Sequence, residues 1–547
     1  MRIPFADAET ILRMIRPVAA AILVIAIATA CDSIDVFDDE VTQGQPIVEG
    51  FFGGVAGDEP RAVLTARSTL AAGGSAADAA IAYYFTSAVT YPAASSLAAG
   101  GACMAYSEGK NQAQFIDFRD GVPAASPEGE FRPTAVPGAV RGLFALHARM
   151  GSLPWNELVT PAERMARFGH PVSRALARDL ALVGEALVED SGARAIFTHP
   201  DGTLLQEGDD LVQLDLSIML SYIRTRGAGD FYSGLGATQF VDAVQSIDNR
   251  LTLDDMRAYQ PHWRDTYSVP VPVSIIGAEA QFQVPGPAFD AGAASLWIWD
   301  MYALADRFAR AGPAERAHLD AEAALRAAVA RTMAPDAAPE PAGVALLMAS
   351  FDPDRATPLD ALPAEPSVPL ENPASTSVAV LDAFGNAVAC VFSMNSLFGI
   401  GRVAPGTGIV LAARPGGDRG DGASLLPVVI ANDVTGDVSF VGAVSGGIVS
   451  APVLTSVIAS AIQAGMPLDQ AVAQPRVFDP GLPDVVIVEP DLPAEIADSL
   501  VAKGHELRVA PELGRVNAIY CPGGAKSDNN TCAFVNDPRG FGLAVGG

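Results

Sequence analysis

The sequence has 547 residues, of which 50% are hydrophobic and 18% are charged. This is the composition of a globular chain with a large core, and it argues against extensive disorder. The formal net charge is −28 and the pI is about 4.5. A chain this acidic repels phosphate backbones, so we predict that nucleic acid is not a partner.

The first 31 residues have the organisation of an export signal. Three arginines precede the apolar run 17–30, which is short for a membrane span and ends in small residues. Ala28-Thr29-Ala30 then leads into Cys31 and resembles a bacterial lipobox. We predict that 1–30 is a signal peptide and that Cys31 is lipidated, which would place the mature chain in the periplasm on a lipid anchor. Ordinary signal cleavage and an uncleaved anchor are the alternatives.

Export permits disulfides, and four further cysteines are available. Cys521 and Cys532 bracket a loop rich in glycine and asparagine, and we predict that they form a disulfide. Cys103 and Cys390 lie in apolar strand-like runs and are predicted to be inert core thiols. The six histidines are scattered singly and no CxxC motif occurs, so no metal site and no cofactor are predicted.

The order of segments predicts a mixed chain. Helical spacing dominates 60–100, where Ser75 is a candidate N-cap and Asp78 its capping-box partner. Two strands follow around the turn EGKN. The later segments are helices over 136–260, strands around 266–300, helices over 301–350, a proline-rich linker at 351–374, dense strands from 375, a helix at about 450–465 and a C-terminal hairpin. This layout predicts an α+β sandwich with helices outside.

Ser375, at the end of the linker, is the candidate nucleophile. No GxSxG, Walker or HExxH motif occurs, which argues against an α/β-hydrolase, a P-loop enzyme and a zinc peptidase. A serine needs a base, and none is adjacent in sequence. A cut between Ala374 and Ser375 would free an α-amine with a pKa of about 7.7–8.0, and this amine can serve as the base. The exposed linker suits such a cut.

The hairpin after Ser375 brings further polar groups toward it. The turn at Asp382–Asn386 contains Gly385, which tolerates positive φ. The returning strand carries Ser393 and Asn395, which can hydrogen-bond an amine or a substrate amide. Gly446-Gly447 follows another predicted strand, and its backbone N–H groups suit an oxyanion hole. The alternative interpretations are ordinary strand residues and a plain turn.

Ordered motifs along the whole mature chain resemble γ-glutamyltranspeptidases. The most extensive are GGSAADAAIAYYFTSAVTYPAASSLAAGG (73–101) and STSVAVLDAFGNAVACVFSMNSLFGIG (375–401). The other matching segments are 115–125, 136–173, 251–265, 352–358, 405–415, 444–447 and 474–489. The resemblance implies a four-layer αββα N-terminal-nucleophile hydrolase sandwich. It also implies self-cleavage into a large subunit region, 31–374, and a small one, 375–547.

The resemblance also implies roles for single residues. Ser375 stands where the family has its nucleophilic Thr, and Ser377 replaces the His two residues later. Ser393 and Asn395 match the family's Thr and Asn beside the nucleophile, and Gly446-Gly447 match the oxyanion pair. Arg119 matches the arginine that grips the α-carboxylate of the substrate; an ion pair with Asp117 or Asp120 is the alternative.

The glutamate pocket departs from the family pattern. The acidic residue for the substrate's α-amine aligns with Gly417, and Asp418 replaces it only after a one-residue shift of the loop. The family's paired serines become Ala423-Ser424. A pocket that lacks a buried polar partner loses preference for the group it bound.

Two functions therefore remain open. The first is an exported, self-processing amide hydrolase or acyltransferase. It would act on γ-glutamyl compounds such as glutathione, or on related small amides, with water or an amino acid as acceptor. The second is a degenerate family member, a non-catalytic binding or structural lipoprotein with the same fold.

Overall fold

A computed structural model describes residues 51–125, 133–247, 250–275, 278–287, 289–335, 337–366, 374–415 and 424–547. The predicted signal peptide 1–30, the predicted lipidation site Cys31 and the pocket residue Asp418 lie outside these residues. Within the described residues, no helix is both long enough and apolar enough to cross a bilayer.

Strands occur throughout the described chain. They are β1 (Gly53–Gly57), β2 (Gly100–Ser107), β3 (Gln112–Phe118), β4 (His170–Pro171), β5 (Asp210–Leu211), β6 (His262–Arg264), β7 (Thr266–Ile275), β8 (Ala278–Pro285), β9 (Ser375–Asp382), β10 (Ala387–Ser393), β11 (Val403–Ala404), β12 (Ile409–Val410), β13 (Leu426–Asn432), β14 (Val438–Ser445), β15 (Val477–Phe478), β16 (Val486–Val488), β17 (Leu507–Val509), β18 (Arg515–Tyr520), β19 (Ala533–Val535) and β20 (Leu543–Gly546).

The helices fall mainly where helical spacing predicts them. They are α1 (Pro60–Ala71), α2 (Ala76–Thr90), α3 (Ala139–Met150), α4 (Trp155–Phe168), α5 (Arg174–Leu187), α6 (Ser191–Phe197), α7 (Leu214–Arg226), α8 (Asp230–Ser233), α9 (Leu235–Ser246), α10 (Leu253–Ala258), α11 (Asp290–Ala303), α12 (Arg307–Arg310), α13 (Pro313–Met333), α14 (Pro341–Met348), α15 (Ser450–Ile462), α16 (Leu468–Ala473) and α17 (Ala494–Lys503).

Two large antiparallel sheets form the centre of the molecule. One has the strand order β20-β1-β9-β10-β2-β3-β6, and the other has the order β19-β18-β14-β13-β8-β7. Each sheet combines strands from before and after the proline-rich linker. The linker is therefore not a boundary between two domains that fold side by side.

Side-chain alternation along β9 explains the layering. Ala379 and Leu381 pack into a core between the two sheets, together with Val429 of β13. Val378 and Val380 point the other way, into a core under α1, α2 and the helices that follow them. A third core joins the opposite sheet to α11, α13 and α15. The order of layers is helix, sheet, sheet, helix, and the predicted αββα sandwich is confirmed.

Local sequence signals fix the hairpin and the central helix. Ser75 and Asp78 form the predicted capping box at the start of α2. In the β9–β10 turn, Asp382 accepts the N–H groups of Phe384 and Asn386, each at 2.9 Å. Gly385 has a φ of +87°, which a residue with a Cβ rarely adopts.

The cysteines were only half predicted. Cys521 and Cys532 are joined, as predicted. The prediction that Cys103 and Cys390 are core thiols is wrong, because they form a second disulfide across 287 residues of sequence. The reason is topological: β2 and β10 are neighbours, and their register places Cys103 opposite Cys390.

Candidate active site

The predicted nucleophile faces a second hydroxyl across two neighbouring strands. Ser375 is the first residue of β9, Ser393 is the last residue of β10, and the register pairs them directly. By alternation, both lie on the face between the sheets, the same face as Ala379 and Val391. Both are largely buried, with exposures of 8% and 9%. The hairpin thus returns Ser393 to the level of Ser375, as its turn predicts.

Two donors hold the carbonyl group of the peptide bond that would be cut. The carbonyl oxygen of Ala374 accepts the Met394 N–H at 3.0 Å. It also accepts the Ser393 hydroxyl at 3.2 Å. Donors aimed at a carbonyl oxygen stabilise the negative charge that develops there when a nucleophile attacks the carbon. The bond between Ala374 and Ser375 is therefore placed in a setting suited to attack.

Asn395 is fixed between the nucleophile hairpin and the loop after β3. Its backbone φ is +60°, an uncommon conformation that asparagine tolerates better than most residues. Its N–H donates to Ser393 Oγ at 2.9 Å. Its Nδ2 donates to Asp120 Oδ2 at 2.7 Å and to the Ala413 carbonyl at 2.8 Å. These bonds connect the loop that carries Arg119 to the end of β10.

A buried carboxylate that the sequence did not suggest joins three parts of the site. Asp58 Oδ2 accepts the Ser377 N–H at 2.8 Å and the Ser445 hydroxyl at 3.3 Å. Asp58 Oδ1 accepts Asn517 Nδ2 at 2.8 Å. Arg515 lies close enough for its charge to interact with that of Asp58. Burial works against the Arg515 cation, but Tyr91, Asp58 and Glu512 raise its pKa above the usual value. No sequence motif marked Asp58, whose partners are hundreds of residues away.

The glycine pair lies next to this junction. Gly446 and Gly447 follow β14 directly and have φ values of +159° and +62°. A Cβ at Gly446 would come within 2.7 Å of the Gly514 Cα, so only glycine fits there. The preceding residue, Ser445, shares Asp58 with the nucleophile strand. This places the turn beside β9, where the predicted oxyanion role would require it.

Arg119 has a local partner of its own. Its Nε and Nη2 each donate to Asp117 at 3.1 Å, and its guanidinium lies 4.0 Å from the centre of the Phe289 ring. Arg264 donates to the same carboxylate at 2.7 Å. Burial opposes ionisation of Asp117, but the bonds and charges of Arg119 and Arg264 outweigh it and lower the pKa of Asp117. This favours the ion-pair alternative for Arg119.

A family model identifies the proteins to which this chain is related. The model for gamma-glutamyltranspeptidase matches residues 62–416 and 422–546. The chain belongs to the gamma-glutamyltranspeptidase family. These are N-terminal-nucleophile amidases that act on γ-glutamyl compounds with water or amino-acid acceptors.

Individual relatives span most of the chain. It is 28% identical to the glutathione hydrolase proenzyme of Escherichia coli (strain K12), over 85% of this chain and 88% of that protein. It is also 28% identical to the glutathione hydrolase proenzyme of Pseudomonas aeruginosa, over 90% and 94%. The crystal structure of a cephalosporin acylase from Bacillus halodurans superposes with a TM-score of 0.74 over 90% of this chain and 95% of that one, at 22% identity. That likeness shows the fold.

Against the gamma-glutamyltranspeptidase pattern, the glutamate pocket is only partly described. Ser424 is 3% exposed, and its hydroxyl has no hydrogen-bond partner among the described residues. A buried hydroxyl without a partner costs free energy, which a ligand group that bonds to it would recover. Gly417, Asp418 and Ala423 lie outside the described residues, so the predicted role of Asp418 stays a prediction.

A groove of about 390 Å³ lies beside Asn395. Ser396 and Ala413 connect the groove to the nucleophile hairpin. Ser396 follows Asn395 in sequence, and the Ala413 carbonyl accepts a hydrogen bond from Asn395 Nδ2. Arg414 adds a positive charge to a mainly apolar wall. The remaining lining residues are Pro133, Val183, Ala186, Leu187, Leu397, Phe398, Gly399, Ile400 and Gly401. Such a groove suits a ligand with an apolar part and a negative group.

Two histidines far apart in sequence meet away from this site, which corrects the view that histidines are scattered singly. His318 Nδ1 lies 2.8 Å from His505 Nε2, and His318 Nε2 lies 2.9 Å from the Asp352 carbonyl oxygen. Glu322 completes a trio whose potential ligand atoms lie within 4.8 Å of one another. However, Glu322 already forms an ion pair with Arg326, and both side chains are buried. The absence of a metal stays a prediction.

Proposed function

We propose that this chain is an exported enzyme that cuts itself between Ala374 and Ser375. It then hydrolyses or transfers the acyl group of γ-glutamyl compounds such as glutathione, or of related small amides. The observation that supports this best is the pair of donors, Met394 N–H and Ser393 Oγ, on the Ala374 carbonyl. They hold the carbonyl of the peptide bond that precedes the proposed nucleophile.

Self-cleavage would proceed through an ester. Ser375 Oγ attacks the carbonyl carbon of Ala374, and the hydroxyl proton moves to the departing backbone nitrogen as the C–N bond breaks. Water then hydrolyses the ester, which leaves a carboxylate on Ala374 and a free α-amine on Ser375. The Met394 N–H and the Ser393 hydroxyl hold the developing oxyanion.

Turnover would reuse the same serine. The new α-amine takes the proton from Ser375 Oγ as the oxygen attacks the substrate amide, and then gives it to the leaving amine. The N–H groups of Gly446-Gly447 hold the oxyanion. Water or an amino acid then attacks the acyl-enzyme, and Ser375 is released.

The first test is the cut itself. Purified wild-type protein is expected to run on a reducing gel as two fragments, and N-terminal sequencing of the smaller should begin at Ser375. Ser375→Ala should remain one chain, whereas Ser68→Ala, a change of an exposed serine on α1, should cut like wild type. If wild-type protein stays uncut after long incubation, Ser375 has no free α-amine to act as its base, and the proposal is overturned.

The second candidate is a non-catalytic family member. The ion pair between Arg119 and Asp117 favours it, because the Arg119 guanidinium is already paired with a carboxylate of the same chain. Comparing hydrolysis of a γ-glutamyl anilide with that of simple acyl anilides separates the readings. A clear preference for the γ-glutamyl compound supports a working glutamate pocket. Equal rates point to a broader amidase, and no turnover by cleaved protein supports the non-catalytic candidate.

Export and lipidation form the third element of the proposal. Their support is the charged start, the apolar run 17–30 and Cys31 in the sequence. Wild-type protein should partition with membranes, and Cys31→Ser should release it. Wild-type protein that is already free of membranes would exclude the lipid anchor.

A further inference from the structure

The Cys103–Cys390 disulfide lies in the middle of the active-site sheet. Cys103 is in β2 and Cys390 is in β10, and the two are directly opposite in the antiparallel register. Both residues are fully buried on the face that packs under the helices. Ser393 is three residues further along β10 than Cys390, and its partner on β2 is Gly100. The bond therefore fixes the strand that carries a proposed catalytic hydroxyl.

The position of the proposed cut decides what this disulfide connects. Cys103 lies before Ala374, and Cys390 lies after Ser375. Cys521 and Cys532, in contrast, are separated by 11 residues and both lie after the cut. The two disulfides thus differ in kind, since one crosses the cut and the other closes a local loop.

We propose that Cys103–Cys390 covalently joins the large and small subunits of the mature protein. This inference depends on the proposed self-cleavage, because without the cut the bond lies within a single chain. Two fragments joined in this way cannot diffuse apart, so any local separation is followed by reassociation at a high effective concentration. The bond also keeps β10 in register with β2 after the chain has been opened.

The chemistry of bond formation sets its timing. The two thiols lose two electrons and two protons in total, and an external disulfide accepts them by thiol–disulfide exchange and leaves as two thiols. An exchange partner must reach a sulfur atom. Both cysteines have 0% exposure in the folded chain, so the bond forms while β2 and β10 are pairing, before the helices cover them.

The experiment compares reducing with non-reducing gels of protein made in an oxidising compartment. Self-cleaved wild-type protein is expected to give two bands with reductant and one band without it. The Cys103→Ser/Cys390→Ser double variant should give two bands in both lanes. The matched control, Cys521→Ser/Cys532→Ser, should behave like wild type because its disulfide does not cross the cut.

A tryptic map without reductant identifies the bond independently of the gel. Trypsin releases Cys103 in peptide 68–110, and Cys390 in peptide 356–402 or, after the cut, 375–402. A linked pair of 68–110 with 375–402 confirms the inference. Cleaved protein with these peptides unlinked, or two bands in the non-reducing lane, overturns it.

The same map separates failure of the inference from failure of the proposed function. If 68–110 is linked to the uncut peptide 356–402, the disulfide exists but the cut does not. The proposed self-cleavage then fails, and with it the assignment of this bond as a link between subunits.

Discussion

Ser393 has one proton and two partners, which fixes the direction of its hydroxyl. The Asn395 N–H donates to Ser393 Oγ, so the Ser393 proton is directed toward the Ala374 carbonyl. A hydroxyl in this arrangement can stabilise an oxyanion without first rotating. The structure thus shows that Asn395 orients the Ser393 hydroxyl, whereas the sequence predicted only that both residues lie near the nucleophile.

Removal of this donor should slow self-cleavage more than it affects folding. Ser393→Ala is expected to lower the cleavage rate by about 10²–10³-fold, the usual cost of losing one oxyanion donor. The measurement is the appearance of the two fragments with time. Ser393→Thr keeps the hydroxyl and should stay within a few fold of wild type. An Ala variant that cuts as fast as wild type would exclude the role.

Asp58 should matter for both stability and cleavage. Asp58→Asn replaces a carboxylate that accepts from Ser377, Ser445 and Asn517 with an amide that directs an N–H₂ group at these donors. We expect a loss of about 1–3 kcal/mol in the free energy of unfolding, together with slower cleavage, measured by urea unfolding and by gel. Asp254→Asn is the control, since that side chain is 93% exposed. An Asp58 variant as stable as the control would contradict the assignment.

At the scale of elements, local signals predicted what they directly encode. The capping box of α2 and the β9–β10 hairpin follow from residues a few positions apart, and both are present. The prediction of strands around 266–300 is wrong for its last part, because Asp290–Ala303 is a helix. That helix is buried on nearly all sides, so its residues show no 3.6-residue alternation that a reader of the sequence could use.

Pairings between elements that are distant in sequence could not be predicted from residue patterns. Cys103 meets Cys390, and Asp58 meets Asn517, only because the order of strands in the sheets brings them together. Hydrophobic patterns say which face of a strand is buried, but not which strand lies beside it. The family resemblance supplied the αββα layers, and the pocket around Gly417 and Asp418 lies outside the described residues.

The contact between α13 and the segment after α17 should depend on pH. Burial lowers the pKa of His505 to about 4; His318 and Lys503 add to this effect, and Glu322 opposes it. An unfolded histidine titrates near 6.5. Between these values the unfolded chain binds the extra proton, so the contribution of His505 to stability falls as the pH drops from about 6.5 toward 4.

The test is a difference between variants, because Asp320 and Asp479 act in the opposite direction. Burial raises the pKa of each of these carboxyl groups to about 7. His505→Gln keeps a donor for His318 but does not titrate. Urea midpoints measured from pH 7 to pH 4 should fall less steeply for His505→Gln than for wild type. His262→Gln, at an exposed position, should follow wild type. Parallel curves for all three proteins would refute the assignment.

At the scale of the whole molecule, the proposed fragments are interleaved within the sheets. β9 and β10 come from 375–547, yet they lie between β1 and β2 from the large region. In the other sheet, β13 pairs with β8 across the same divide. Separation of the fragments would break backbone ladders in both sheets and expose the core between them.

The cleaved protein should therefore behave as one folded unit even without its inter-subunit disulfide. Cleaved Cys103→Ser/Cys390→Ser protein is expected to elute as a single species from gel filtration without denaturant. Its urea unfolding should show coincident transitions by fluorescence and circular dichroism. Fragments that elute separately under native conditions would contradict the interleaved arrangement.

The carboxylate of Asp58 also sets an order of events in the life of the chain. Its partners Ser377, Ser445 and Asn517 appear late in synthesis, and Asn517 is 459 residues away from it. A ribosome that has just passed Ser375 has made the nucleophile but not the groups that complete its surroundings. Maturation would thus wait for a nearly finished polypeptide, which protects an emerging chain from being severed before both halves can hold each other.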